Sequence, residues 1–294
     1  MVWQGLSDIG AGRDGLATAS NMTEPRTYFA LTAGRTGTAW LAEFLSQNLG
    51  FDVVHEPMEI DDFGLNMPDI RTMRHFNTYG NDATVQDFWH RKFEQIRQRP
   101  VYGETNHTLA KCGLLENLVA SPLAGNSTVI LLRRNLVKQC VSHLVRHDFV
   151  NVTTAWQWYL HPHYVKRLVT PKPFLALGTL GMAVWYCYEM AARQSYYALI
   201  YSDHLTIIET DLEDLVTEPG AQTLLDAIGA ATPCALPPPK NQNAAKPAPE
   251  LVEKVTQIFQ SVAFDAHDIA KQAIADGFSF AADAEDAVPM VRTG

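Results

Sequence analysis

Between Thr27 and Val54 the chain reads as strand, glycine-containing turn, helix and strand, and few folds accept that order in so short a span. Thr27-Tyr28-Phe29-Ala30-Leu31-Thr32 is an aromatic and apolar run of strand length. Ala33-Gly34-Arg35-Thr36-Gly37-Thr38 interrupts it. From Trp40 onward, Trp40, Leu41, Phe44, Leu45 and Leu49 fall on one face of a helix, which Asn48 and Gly50 stop. Phe51-Asp52-Val53-Val54 is the predicted returning strand. Two strands joined through a helix pair in parallel, and a parallel sheet is covered by helices on both faces. The fold class is therefore α/β.

The rest of the chain agrees. Strands are predicted at Val101–Thr105 and at 128–132, the latter a continuous apolar run suited to burial on both faces. A helix follows it through about Phe149, and 180–200 is helical by length and spacing. Leu205-Thr206-Ile207-Ile208 reads as a short buried strand. Residues 251–274 repeat apolar side chains at helical spacing, after a Pro-rich segment at 233–249. No repeat or composition break divides the chain. We expect one domain over 27–275 with a central parallel sheet, a flexible arm at 1–26 and an acidic C-terminal tail at 276–294.

Composition excludes several classes. The formal charge is −9, whereas a nucleic-acid footprint is basic, so no nucleic-acid partner is expected. No stretch reaches the ~18 consecutive apolar residues of a spanning helix. The opening residues MVWQGLSDIGAGRDG lack the basic and then apolar regions of a signal peptide. Cys112, Cys140, Cys187 and Cys234 are widely spaced and form no CxxC pair, which predicts neither a disulfide framework nor a zinc site. Reduced thiols and a cytoplasmic location are the expectation. Oligomeric state has no signature in the sequence.

The turn after the first strand carries the chemistry. Gly34 and Gly37 allow a tight turn that exposes backbone N–H groups, and the following helix N-terminus favours an anion. Arg35 adds a fixed positive charge, and Thr36 and Thr38 add hydroxyl donors. Together they predict a phosphate or sulfate site. The nucleotide triphosphatase loop GxxxxGK[ST] fits poorly, because its first glycine would fall on Phe29 and its lysine is an arginine. The strand at 129–132 ends in Arg133 and Arg134 rather than in the Asp that holds Mg²⁺, so no metal is expected.

A phosphate cradle without a metal site resembles the sulfotransferases that use 3′-phosphoadenosine 5′-phosphosulfate as donor and release adenosine 3′,5′-bisphosphate. Their loop reads like [KR]-[ST]-G-[ST]-[ST]-[WF]. Here it stands as Arg35-Thr36-Gly37-Thr38-Ala39-Trp40, with Ala39 in place of a hydroxyl. The resemblance implies the family's P-loop-like fold and a donor cradle running from Gly34 to Trp40. It places Arg35 on the phosphosulfate and its bridging oxygen, and Trp40 against the adenine. The family's second landmark is a strand-end Arg followed by a helical Ser, matched by Arg134 and Ser142, eight residues apart. The resemblance makes these two the 3′-phosphate ligands. Arg146, one turn beyond Ser142, is a candidate helper or acceptor contact. A late loop also closes on the nucleotide in this family; Lys240 or Asn241 is the best match for it.

Sulfuryl transfer needs an aligned acceptor, sulfur and leaving oxygen, cations on the leaving group and a general base. Two bases are candidates. Glu56 in Val54-His55-Glu56-Pro57 is favoured, because relatives with Arg in the loop carry a Glu at about this place. His107, in Glu104-Thr105-Asn106-His107, is the second. His55 reads as a strand-end neighbour, Glu104 as a partner for one of the site's arginines, and Glu209 to Asp214 as structural. His147, His161 and His163 have no convincing metal spacing. Residues 58–99 and 150–180, with Trp156, Trp158, Tyr159 and Tyr164, are expected to wall the acceptor. The acceptor itself is a hydroxyl or amine on a small molecule, carbohydrate or peptide. The rival readings are an ATP-dependent kinase and a non-catalytic nucleotide-binding relative.

Overall fold

Successive side chains of a strand point to opposite faces, and β1 (Arg26–Leu31) uses that period to feed two cores. Phe29 and Leu31 join a large cluster with Val129 and Leu131 of β4 (Ser127–Arg133). Ala30 joins a smaller one with Ile130 and Leu132. The computed structural model describes residues 24–150, 160–230, 233–240 and 246–282. They form one α/β domain around a five-stranded sheet in the order β2-β3-β1-β4-β5, with every pairing parallel. The remaining strands are β2 (Val54–His55), β3 (Val101–Thr105) and β5 (Thr206–Asp211).

Helices close both faces. α1 (Thr38–Leu49) packs Leu41, Phe44 and Leu45 on the smaller core, joined by Leu224 and Leu225 of α8 (Glu218–Ala227). Between β2 and β3 lie α2 (Ile70–Tyr79) and α3 (Ala83–Ile96), each opened by an Asp side chain that caps its first turn. They pack on the larger core with α4 (Leu114–Leu118), α5 (Leu136–Val145) and α6 (Gly178–Tyr201). α6 is buried along most of its length and runs through the centre of that layer. α7 (Leu212–Leu215), α9 (Pro249–Ser261) and α10 (Ala266–Ala275) complete the described helices.

Four expectations change. The second strand pairs at Val54–His55 rather than across 51–54, because Phe51 stacks on Tyr28 at 5.9 Å and Val53 N–H donates to Ser46 Oγ at 2.9 Å. β5 extends to Asp211 and is the half-exposed edge of the sheet, not a buried strand. The apolar repeat over 251–274 is two helices, broken where Phe264 leaves the helix to stack on Tyr188 at 3.9 Å. The packed body also continues past Ala275. Phe280 is buried, its carbonyl accepts from Asn81 N–H at 2.7 Å, and a Cβ on Gly80 would stand 2.2 Å from Ala281 O.

Candidate active site

Parallel strands bring all their carboxyl ends to one edge of the sheet, where ligands of open α/β sheets bind. Arg35 follows β1, Arg134 follows β4, Glu56 follows β2 and His107 follows β3. All four line one cleft of about 1280 Å³. Its wall also includes Gly34, Gly37, Thr38, Ala39, Trp40 and Ser142.

The turn after β1 is pinned from behind. Gln194 Nε2 donates to Leu31 O at 2.9 Å, Tyr186 OH to Ala33 O at 2.6 Å, and Gln139 Nε2 to Gly34 O at 2.9 Å. Arg134 Nη1 donates to Arg35 O at 2.6 Å. With four consecutive-region carbonyls held this way, the turn's dipoles are oriented before any ligand arrives. Thr38, Ala39 and Trp40 then open α1, where a helix has no carbonyl one turn earlier to take their N–H groups. Gly37 has φ +80°, in the left-handed region that favours glycine, and it packs against the Leu212 side chain. Thr36 does not join the cleft wall. Its hydroxyl is buried without a partner among the described residues, beside a smaller cavity of about 370 Å³ behind the turn.

Arg35 and Ser142 meet directly, Arg35 Nε donating to Ser142 Oγ at 3.0 Å. With the Arg134 bond, the side chains expected at opposite ends of a donor form one connected cluster. Arg133 is separate and pairs with Glu209 on the neighbouring strand. Lys138 lies 3.4 Å from Glu213, and Glu213 also accepts from Asn135 N–H at 3.2 Å.

The two candidate bases are bonded to each other. His107 Nδ1 donates to Glu56 Oε1 at 2.8 Å. Burial works to raise the Glu56 carboxyl, but the His107 bond and the neighbouring imidazoles outweigh it and hold the carboxyl below its ordinary value. Burial lowers His107, and Lys111 adds to that, against the pull of Glu56. Both shifts run toward a carboxylate facing a neutral imidazole. His55 Nδ1 donates to Thr105 O at 3.0 Å, a strand-end contact as expected. Lys111 is buried, with Nζ donating to Tyr186 OH at 3.0 Å, and so links this side of the cleft to the pinned turn.

Backbone strain marks the same place. Among the described residues only Arg35, Glu56 and His147 combine a side chain with positive φ, at 54°, 44° and 59°. All three line the cleft. Such residues cost about 1–3 kcal/mol each and cluster at functional sites.

Other expected residues fall elsewhere. Glu104 pairs with Lys92 Nζ at 2.5 Å and accepts from Tyr102 OH at 2.7 Å, so its cation is a lysine of α3 and not a site arginine. Trp40 stacks on Phe44 at 5.2 Å and donates Nε1 to Pro237 O at 3.1 Å, tying the Pro-rich segment over α1. Lys240 reaches the cleft wall with its ammonium on Glu43 at 2.6 Å, and Asn241 lies outside the described residues. Arg146 is half-exposed near Asp148, whose Oδ2 accepts from His143 Nδ1 at 3.0 Å. Trp156, Trp158 and Tyr159 lie outside the described residues, and Tyr164 is off the cleft wall. The sequence reading missed Asp148, Gln139, Tyr186 and Gln194. Nothing local distinguishes a pinning Gln or Tyr from an ordinary helix residue. Among the described residues no His, Cys, Asp and Glu group is placed to hold a metal, and no helix is long and apolar enough to cross a membrane.

No family model and no curated protein matches the chain. Its structural neighbours include the crystal structure of a sulfotransferase from Alicyclobacillus acidocaldarius, with a TM-score of 0.45 and 16% identity over 85% of this chain and 96% of that one. The sulfotransferase domain from the curacin biosynthetic pathway is similar at a TM-score of 0.40 and 15% identity, over 87% of this chain and 98% of that one.

Proposed function

We propose that the chain transfers a sulfuryl group from 3′-phosphoadenosine 5′-phosphosulfate to a hydroxyl, leaving adenosine 3′,5′-bisphosphate. One observation carries the reading: Arg35, Arg134 and Ser142 form a connected cationic cluster beside a pinned turn and a helix N-terminus, in the same cleft as the His107–Glu56 pair. The cluster suits a ligand with two anionic groups, and the residues present fit the donor. The 5′-phosphosulfate belongs at the α1 N-terminus with Arg35, and the 3′-phosphate at Arg134 and Ser142.

The bonded pair changes which base is preferred. Glu56 offers a weakly basic carboxylate whose Oε1 already holds His107. We therefore assign the proton to His107 Nε2, with Glu56 fixing the Nδ1–H tautomer and steadying the imidazolium that forms. The acceptor oxygen bonds to sulfur as the bond from sulfur to the 5′-phosphate oxygen breaks. The electron pair leaves with the bisphosphate, where Arg35 meets the developing charge, and the acceptor proton passes to His107.

Thermal melting separates this reading from its rivals. Adenosine 3′,5′-bisphosphate in EDTA at a hundredfold excess over its Kd stabilises the protein by about 2.7 kcal/mol, whereas ATP with Mg²⁺ does not. The opposite pattern makes the protein a kinase. A chain that binds the bisphosphate yet never consumes the phosphosulfate donor, with any acceptor, is a binding protein.

A further inference from the structure

The segment that follows Glu56 displays apolar side chains to solvent. In Met58-Glu59-Ile60-Asp61-Asp62-Phe63-Gly64-Leu65, Met58 is 63% exposed and Ile60 87%, with Phe63 and Leu65 also exposed. Contiguous exposed apolar patches mark binding surfaces in soluble proteins. This one is a built feature. Asp62 O accepts from Leu65, Asn66 and Met67 N–H at 3.0, 2.8 and 2.8 Å. The Asp62 carboxylate accepts from Glu59 N–H at 3.0 Å and Asn66 Nδ2 at 2.7 Å. α3 holds the far end, with Arg91 Nη1 on Gly64 O at 3.1 Å and Lys92 Nζ on Asn66 O at 2.5 Å. These bonds take up several of the segment's backbone polar groups, while its apolar side chains stand in solvent.

The flap is continuous with the cleft. Met58 and Phe63 line it, as do Val141 and Val145, one turn apart on α5. Its charge is opposite to that of the donor end, because Glu59 and Asp61 are exposed among the apolar residues. A dianion held at Arg35 and Arg134 thus shares the cleft with an apolar, acidic-edged surface that begins two residues after Glu56. Resting on the sulfuryl-transfer reading, we infer that the acceptor is a hydroxyl carried on an extended apolar body without negative charge, and that this body lies along the 58–65 flap. Sugars and acidic peptides fit this surface poorly, having little apolar area to bury and, for the peptides, charge of the wrong sign.

The test uses the full chain saturated with adenosine 3′,5′-bisphosphate and titrates n-alkanols from butanol to decanol by calorimetry. Affinity is expected to rise about fourfold per added methylene. Alkyl carboxylates of equal length are expected to bind at least tenfold more weakly. In the doubly substituted protein Met58→Ser/Phe63→Ser the alkanol increment should fall below twofold per methylene, with bisphosphate affinity unchanged. An unchanged melting temperature of the doubly substituted protein shows that the fold is kept. A flat alkanol series, carboxylates that bind as well as alkanols, or an increment untouched by the double substitution each overturns the acceptor class and leaves the donor reading standing. Failure of the bisphosphate itself to bind overturns the donor reading, and the acceptor class with it.

Discussion

The cleft has two sides built on different principles. On the side that follows β1 and β4, a turn is clamped through its carbonyls by Gln139, Tyr186, Gln194 and Arg134, on strands that pair over five residues. On the side that follows β2 and β3, Glu56 hangs from a strand only two residues long, and it and His107, two residues past β3, hold each other by hydrogen bonding. Charge that is already present can be held by a rigid frame, because nothing has to move when a dianion arrives. A group that must gain a proton needs its tautomer fixed, and the 2.8 Å bond to a carboxylate does this without a long strand.

That contrast is breakable. The largest effect is expected from His107→Ala, which should lower kcat by about 10²- to 10⁴-fold while bisphosphate affinity stays within twofold, measured by donor turnover and calorimetry. Equal losses in binding and turnover would erase the distinction between the sides. Arg35→Ala comes next, with about 10²- to 10³-fold lost in kcat and bisphosphate binding weakened as well, since the proposed mechanism assigns this residue both ligand and leaving group. Glu56→Gln should cost about tenfold to a hundredfold in kcat and displace the pH profile. In the proposed mechanism His107 acts when neutral, and burial already holds its pKa below the ordinary imidazole value. Removing the carboxylate removes a pull that raises it, so the acidic limb of the kcat profile should move to still lower pH. A limb displaced upward would mean that Glu56 is the group titrating. Tyr186→Phe deletes the donor to Ala33 O and a partner of buried Lys111; a loss of about 1–3 kcal/mol in unfolding free energy and weaker bisphosphate binding are expected, with the acidic limb retained. Lys240→Ala is the smallest, with no measurable change in melting temperature expected, because an exposed pair with Glu43 contributes little.

The same division governs what could be read from the chain. β1 and β4 were legible because they are buried on both faces and therefore spell continuous apolar runs, and the turn between β1 and α1 because its glycines, arginine and threonines sit together in sequence. Arg134 and Ser142 were legible for the same local reason. The other side was not. Val54–His55 is too short to leave a periodic trace, and Phe51 and Val53, which looked like strand, are apolar because they pack around Gly103. The pairing of Glu56 with His107 joins the loops that follow the neighbouring strands β2 and β3, and no local pattern announces it. Thr36 shows the limit of reading a turn from its residue types: its hydroxyl is buried beside the smaller cavity rather than on the cleft wall, an orientation that no local pattern announces.

The position of β1 at the middle of the sheet bears on how the protein is made. Its two neighbours are Val101–Thr105 and Ser127–Arg133, so a nascent chain that has emerged only through its first hundred residues contains the turn but neither strand that flanks it. The innermost strand then waits with both hydrogen-bonding edges open, the arrangement most prone to pairing with the wrong chain. A pause once Arg133 has emerged would let the middle of the sheet zip together before β5 is needed, whereas a pause when only α3 has emerged would prolong the exposure.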